Sequence, residues 1–228
     1  NKSKYIRYFF MHKSIINLIK IKKKINLKYP NFKVRPEIIA VSKTFPIEHI
    51  SPLIDHGHSN FGENKVQEAI DKWTEIKINN PKLNLHMIGK LQTNKVKQAV
   101  RIFDYIHSVD SEKLVKKISE EQNKIGREIK IFIQINVADE SQKSGISFDE
   151  LYNFYKICTN NYKIKVVGLM CLPPADQDPS PFFEKMKKAS DDLSLNELSM
   201  GMSSDYLTAI EYGASFLRIG SKIFGNRT

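Results

Sequence analysis

Three short stretches of this 228-residue chain combine residue types that could do chemistry together. In "IIAVSKTF", residues 38 to 45, an apolar run of the kind that makes a buried strand ends on Lys43. An ammonium at the tip of a core strand loses hydration, and desolvation favours the neutral amine, which is a nucleophile. A strand-end lysine ordinarily snorkels into water, so Lys43 acquires meaning through its neighbours. "SMGMSSDY" sets Gly201, Ser203 and Ser204 at a strand-to-helix turn, and "RIGSKIFG" repeats the theme with Gly220 and Ser221. Small residues, hydroxyls and free backbone N–H groups at two adjacent helix starts make a cup for an anion such as phosphate. Helix capping by Ser203 and Ser221 explains each turn singly, but not both at this place in a fold.

The elements that must position these residues alternate along the chain. Strand patterns cover 37–42, 59–62, 84–89, 105–109, 129–137, 164–170, 197–200 and 216–220, with amphipathic helical stretches between them. Eight β-then-α units in one undivided chain predict an α/β fold, a single (β/α)₈ TIM-type barrel with an additional N-terminal helix. A doubly wound open sheet is the alternative. Either fold binds ligands at the carboxyl ends of its strands, where Lys43, Glu63, Asn64, Lys90, Asp110, Ala138, Asp139, Cys171, Gly201 to Ser203 and Ser221 fall. In barrels, the loops after strands seven and eight are the frequent phosphate site. A lysine facing a phosphate cup across a barrel mouth suits one well-known cofactor, pyridoxal 5′-phosphate (PLP), held as a Schiff base.

Composition bounds the rest. A content of 41% hydrophobic residues supports a sizeable core. The formal charge of +11 raises nucleic-acid binding, but much of the excess lies in residues 1–35, which contain no acidic residue. Elsewhere lysines mix with Glu and Asp on helix faces, the pattern of a solvated surface, so no nucleic-acid partner is expected. No apolar run approaches the ~18 residues that span a bilayer, and no membrane partner is expected either. Cys158 and Cys171 have neither disulfide-framework nor zinc-ligand spacing, which fits a reducing, cytoplasmic compartment. "HGH" at 56–58 lacks a third ligand nearby, "GHSNFGEN" lacks the Lys-Ser/Thr of a phosphate loop, and no GxGxxG occurs; no metal is expected. Residues 1–13 read as a basic extension, either a flexible arm or a targeting remnant that leaves organellar delivery open. Residues 14–228 read as the barrel domain. Ser14 is expected to cap an amphipathic helix running to Tyr29, with Ile15, Leu18, Ile19 and Ile25 on its buried side.

The motifs "AVSKT", "FGENKVQE", "HMIGKLQTNK", "QINVADESQKSGI", "VGLMCLPP", "LSMGMSSDY" and "RIGSKIFGNR" together resemble the pyridoxal-phosphate homeostasis protein family, in order from about residue 14 to 228. The segment after "CLPP" is short for that family, and the basic stretch before Ser14 lies outside its pattern. The resemblance implies the barrel of the alanine racemase N-terminal domain. It implies Lys43 as the Schiff-base lysine, Ser203 with Gly220 and Ser221 on the phosphate, Arg218 near the pyridine nitrogen and Asn64 near the ring. An arginine at that nitrogen favours the unprotonated ring, a weak electron sink. Racemases of this fold draw an opposing base from a second domain, for which the eight residues after "RIG" leave no length. The expected role is therefore cofactor buffering or delivery to apo-PLP-dependent enzymes in vitamin B6 homeostasis, without robust catalysis. A barrel-only, racemase-like PLP enzyme using Tyr206 as acid/base is the alternative. A monomer is the expected state, with a dimer as the alternative.

Overall fold

The computed structural model of the chain describes residues 11–32, 35–138 and 144–225. Most of the expected 1–13 extension, residues 1–10, lies outside the described residues. Eight strands close into one parallel barrel in chain order: β1 (Glu37–Val41), β2 (Asn60–Glu63), β3 (Asn84–Met87), β4 (Tyr105–Val109), β5 (Lys130–Ile135), β6 (Lys165–Cys171), β7 (Glu197–Ser199) and β8 (Phe216–Ile219). Closure is made by β1 on β8, with Glu37 opposite Phe216 and Ala40 opposite Ile219.

Helix α1 (Lys13–Lys28) precedes the barrel, and its N-cap is His12 rather than Ser14. The His12 ring nitrogen accepts from the Ser14 N–H at 3.3 Å, and Ser14 is buried in the first turn. Its buried stripe is Ser14, Leu18, Ile21 and Ile25, so Ile21 takes the place expected for Ile19. The 4-3-4 spacing is the same helical face begun one residue earlier. The other helices are α2 (Ile47–Asp55), α3 (Val66–Asn79), α4 (Val96–Ile102), α5 (Glu112–Ile125), α6 (Phe148–Lys156), α7 (Ser180–Asp192), α8 (Tyr206–Glu211) and α9 (Ser221–Phe224). Helix α6 opens on a capping box between Ser147 and Glu150, and α2 stops at Gly57, whose φ is +87°. Helix α1 packs against α2 and α9, and Asn17 donates to the Ile223 carbonyl at 2.9 Å.

Two cores result from the strand alternation. Outward-facing side chains such as Phe61 pack against the helices, where its ring lies 4.8 Å from that of Trp73. Inside the barrel, Ile39, Phe132, Met170 and Phe216 form a separate apolar cluster. Among the described residues no helix is long and apolar enough to cross a membrane, and no group of three or more metal-ligating side chains occurs.

Candidate functional site

The strand ends of the barrel open into a cavity of about 1200 Å³. Lys43, Asn64, Ser203, Arg218, Gly220 and Ser221 all line it. It also takes in Lys90 and Lys222, so four cations face it, and no described residue lining it is a carboxylate.

Lys43 projects from a tight turn after β1, in which the Phe45 N–H returns to the Ser42 carbonyl at 3.1 Å. The following residue, Thr44, has φ +67°, a left-handed conformation that costs a β-branched residue energy. Helix α3 holds that turn in place. Lys72 donates to the Ser42 carbonyl, Glu63 Oε1 and Glu68 Oε1, each at 3.0 Å, and the Thr44 N–H also binds Glu68. Glu63 is wholly buried behind the barrel wall, where Oε1 also accepts from Ser42 Oγ at 2.7 Å and Trp73 Nε1 at 3.0 Å. Burial raises its pKa, although Lys72 and the other donors oppose the shift. Partial burial would raise Glu68 too, but the Thr44 N–H and the Lys72 ammonium hold it below its ordinary value.

Opposite stands the pair of turns after β7 and β8. Gly201 is obligatory: its φ is +90°, and a Cβ there would come within 2.6 Å of Ala209 Cβ. Neither serine caps its own helix. The N-cap of α8 is Asp205 and that of α9 is Gly220, while Ser203 Oγ accepts from the Lys222 N–H at 3.4 Å. Ser203 thus joins the two turns. Because α8 and α9 span six and four residues, their dipoles are minor, and what the turns offer is hydroxyls and backbone amides.

Arg218 forms the cavity floor. Its Nη1 donates to the Ser199 carbonyl and Ser199 Oγ, both at 2.6 Å, and Nη2 to the Cys171 carbonyl at 2.7 Å. Burial lowers its pKa from the usual arginine value, and its hydrogen bonds are to neutral oxygens.

Several strand-end residues fall elsewhere. Glu63 turns into the wall, Cys171 contributes its carbonyl, and Asp110 accepts from the Gly145 N–H at 3.2 Å. Asp139 lies outside the described residues. Tyr206 is buried in the apolar core rather than on the cavity, and that burial raises its pKa. The cavity also uses Gln134, Asn136 and Leu172, which strand patterning alone did not single out.

Comparison with known proteins accords with this geometry. The alanine racemase N-terminal domain model matches residues 16–228. A pyridoxal phosphate homeostasis protein of Pasteurella multocida is 35% identical over 92% of this chain and 96% of its own length. The chain belongs to the pyridoxal phosphate homeostasis protein family. Another family member, from Aquifex aeolicus, is 36% identical over 84% of this chain and 87% of its own. Among solved structures, PipY of Synechococcus elongatus with PLP bound superposes with a TM-score of 0.83 at 31% identity, covering 93% of this chain and 100% of that one.

Proposed function

We propose that this chain binds PLP in the mouth cavity and serves vitamin B6 homeostasis by buffering the cofactor or passing it to apoenzymes. The observation that carries the reading is the cavity itself, with four cations, hydroxyls from two joined turns and no carboxylate among its described lining. Such a lining suits a phosphorylated, anionic ligand that carries an aldehyde. The fit extends to individual residues. Lys43 would attach the aldehyde, Ser203, Gly220 and Ser221 would hold the phosphate, Arg218 would serve the ring nitrogen, and Asn64 would serve the ring. Bound PLP supplies an electrophilic carbon and an electron sink whose strength follows the protonation of its ring nitrogen. Arg218 has no lone pair to share, so as a donor it favours the unprotonated ring. Capture and release of amines is thereby easier than cleavage at Cα.

A barrel-only enzyme would need an acid/base opposite Lys43. Tyr206, the residue that could have served, is packed in the core.

The test incubates the protein with PLP, reduces with borohydride and maps the modified peptide, which is expected to contain Lys43. Unreduced loaded protein is separately mixed with an apo-aminotransferase, and deuterium exchange at Cα of alanine is followed in a parallel sample that lacks that enzyme. Recovered aminotransferase activity is expected, with negligible exchange. A wild-type-like visible spectrum in Lys43→Ala refutes the attachment site. Lys43-dependent exchange at rates typical of enzymes, about 1 s⁻¹ or more, replaces the carrier with an enzyme.

A further inference from the structure

Beneath the cavity the barrel interior holds a file of polar side chains that the binding reading does not use. Arg218 Nη1 meets Ser199 Oγ at 2.6 Å, and Ser199 Oγ meets His107 Nδ1 at 2.8 Å. His107 Nε2 meets His86 Nδ1 at 2.9 Å, and His86 Nε2 meets Asn60 Oδ1 at 3.0 Å. Asn60 Nδ2 meets Glu37 Oε2 at 3.1 Å. Six strands contribute one residue each. Ser199, His86 and His107 have no solvent exposure, whereas Glu37 is exposed at the opposite end of the barrel from the cavity.

The two ends fix every proton between them. A guanidinium only donates and a carboxylate only accepts. Asn60 donates its amide to Glu37, so its carbonyl must accept from His86 Nε2–H. His86 Nδ1 is then bare and accepts from His107 Nε2–H. His107 Nδ1 in turn accepts the Ser199 hydroxyl proton, which leaves the Ser199 oxygen to receive Arg218. With both imidazoles neutral, each interior link has one donor and one acceptor, and no alternative arrangement satisfies them all. Stacking aligns the imidazole edges, His86 on Tyr105 at 4.5 Å and 10° and His107 on Phe132 at 4.2 Å and 21°. Burial keeps both rings neutral, as the file requires.

We propose that Glu37, Asn60, His86, His107 and Ser199 form a one-way hydrogen-bond relay whose task is to orient the Arg218 guanidinium at the cavity floor. The relay orients but does not conduct. Arginine does not release its proton in proteins, and an amide side chain does not pass one on. Its members are positioning residues: Ser199 acts on Arg218 directly, and the histidines act by committing the Ser199 hydroxyl proton away from it. The consequence for a cofactor rests on the reading of Arg218 as the ring-nitrogen contact, but the relay itself does not.

Imidazole ¹⁵N shifts of the ligand-free protein test the direction, with His86 and His107 both expected as Nε2–H tautomers. Selective ¹⁵N-arginine labelling, assigned with Arg218→Lys, tests the orientation. Separate, slowly rotating Nη signals are expected for Arg218 in wild type and in Ser199→Thr, and shifted, faster-exchanging Nη1 signals in Ser199→Ala, which keeps the bonds to the Ser199 and Cys171 carbonyls. An Nδ1–H tautomer at either histidine, measured on wild type, overturns the relay. So do unchanged Arg218 signals in Ser199→Ala. With PLP added, Ser199→Ala is expected to bind it roughly three- to tenfold more weakly, the scale of one hydrogen bond, and to shift its absorbance maximum, with Ser199→Thr restoring both. Wild-type protein that passes the two ligand-free measurements yet binds no PLP defeats the binding proposal and leaves the relay standing.

Discussion

Ser203 and Ser221 come from turns one strand apart, and the Lys222 N–H that reaches Ser203 Oγ shows that the turns share one polar pocket. A phosphate dianion placed there accepts charge-assisted hydrogen bonds, each worth about 1.5–3 kcal/mol when a charged partner is involved. Pyridoxal has the same aldehyde and ring but no phosphate. Ser203→Ala with Ser221→Ala is therefore expected to weaken PLP by about 100-fold or more while changing pyridoxal little. Fluorescence or absorbance titration with both ligands measures the difference. Equal loss for the two would move the phosphate to another part of the cavity, where Lys90 and Lys222 are the remaining cations. Lys43 was legible in the sequence for a related reason: it is the charged residue that ends a strand whose Ile38, Ile39, Ala40 and Val41 are all buried.

The strand ends, more than the residues themselves, decide what meets at the mouth. Gly89 follows β3 and lies against the chain at Asn64, where a Cβ would come within 2.4 Å of the Asn64 carbonyl oxygen and 2.8 Å of its Cα. Backbone cannot swing away as a side-chain tip can. Gly89→Ala is expected to destabilise the fold by about 1–3 kcal/mol, the scale of overpacking, and to weaken PLP by displacing Asn64. Urea unfolding and PLP titration of the same variant check both effects. Normal stability with normal affinity would show that the β2 and β3 ends yield independently. The eight strands were readable because a parallel barrel buries both faces of each strand, so they appear as short apolar runs between helical patterns. The relay was hidden by that same reading. His86 in "NLHMIG" and His107 in "YIHSV" look like interruptions of apolar strands, and only the pairing of β3 with β4 brings them within 2.9 Å. Lys72 and Glu68 were equally hidden, since an i,i+4 pair on a helix ordinarily faces solvent, whereas these two reach back to the turn that carries Lys43.

At the scale of the whole molecule, three buried neutral histidines link the fold to pH. Burial is the main cause for each: His58 is lowered to about 4, His86 to about 3, and His107 well below the ordinary 6.5. The unfolded chain therefore binds more protons than the folded chain as pH falls through about 6.5, and stability must fall with it. Each group contributes up to about 1.4 kcal/mol per pH unit. The loss continues down to about 4 for His58 and about 3 for His86, where the folded forms themselves take up protons. Glu63 acts in the opposite direction, because its pKa is raised in the fold and the folded chain gains its proton first. One carboxyl does not offset three imidazoles. A domain with a stability of about 5–15 kcal/mol is thus expected to lose a large part of it between pH 7 and pH 5. Urea midpoints measured across that range should fall steeply, and His58→Gln, which removes one of the three and meets the relay only at the Asn60 backbone carbonyl, 2.9 Å from His58 Nε2, should flatten the slope by about one proton. Midpoints that stay level from pH 7 to 5 would mean the buried rings accept protons in the folded state. The relay would then have to reverse its donors, and Arg218 would be seen to lose its fixed orientation over the same pH range.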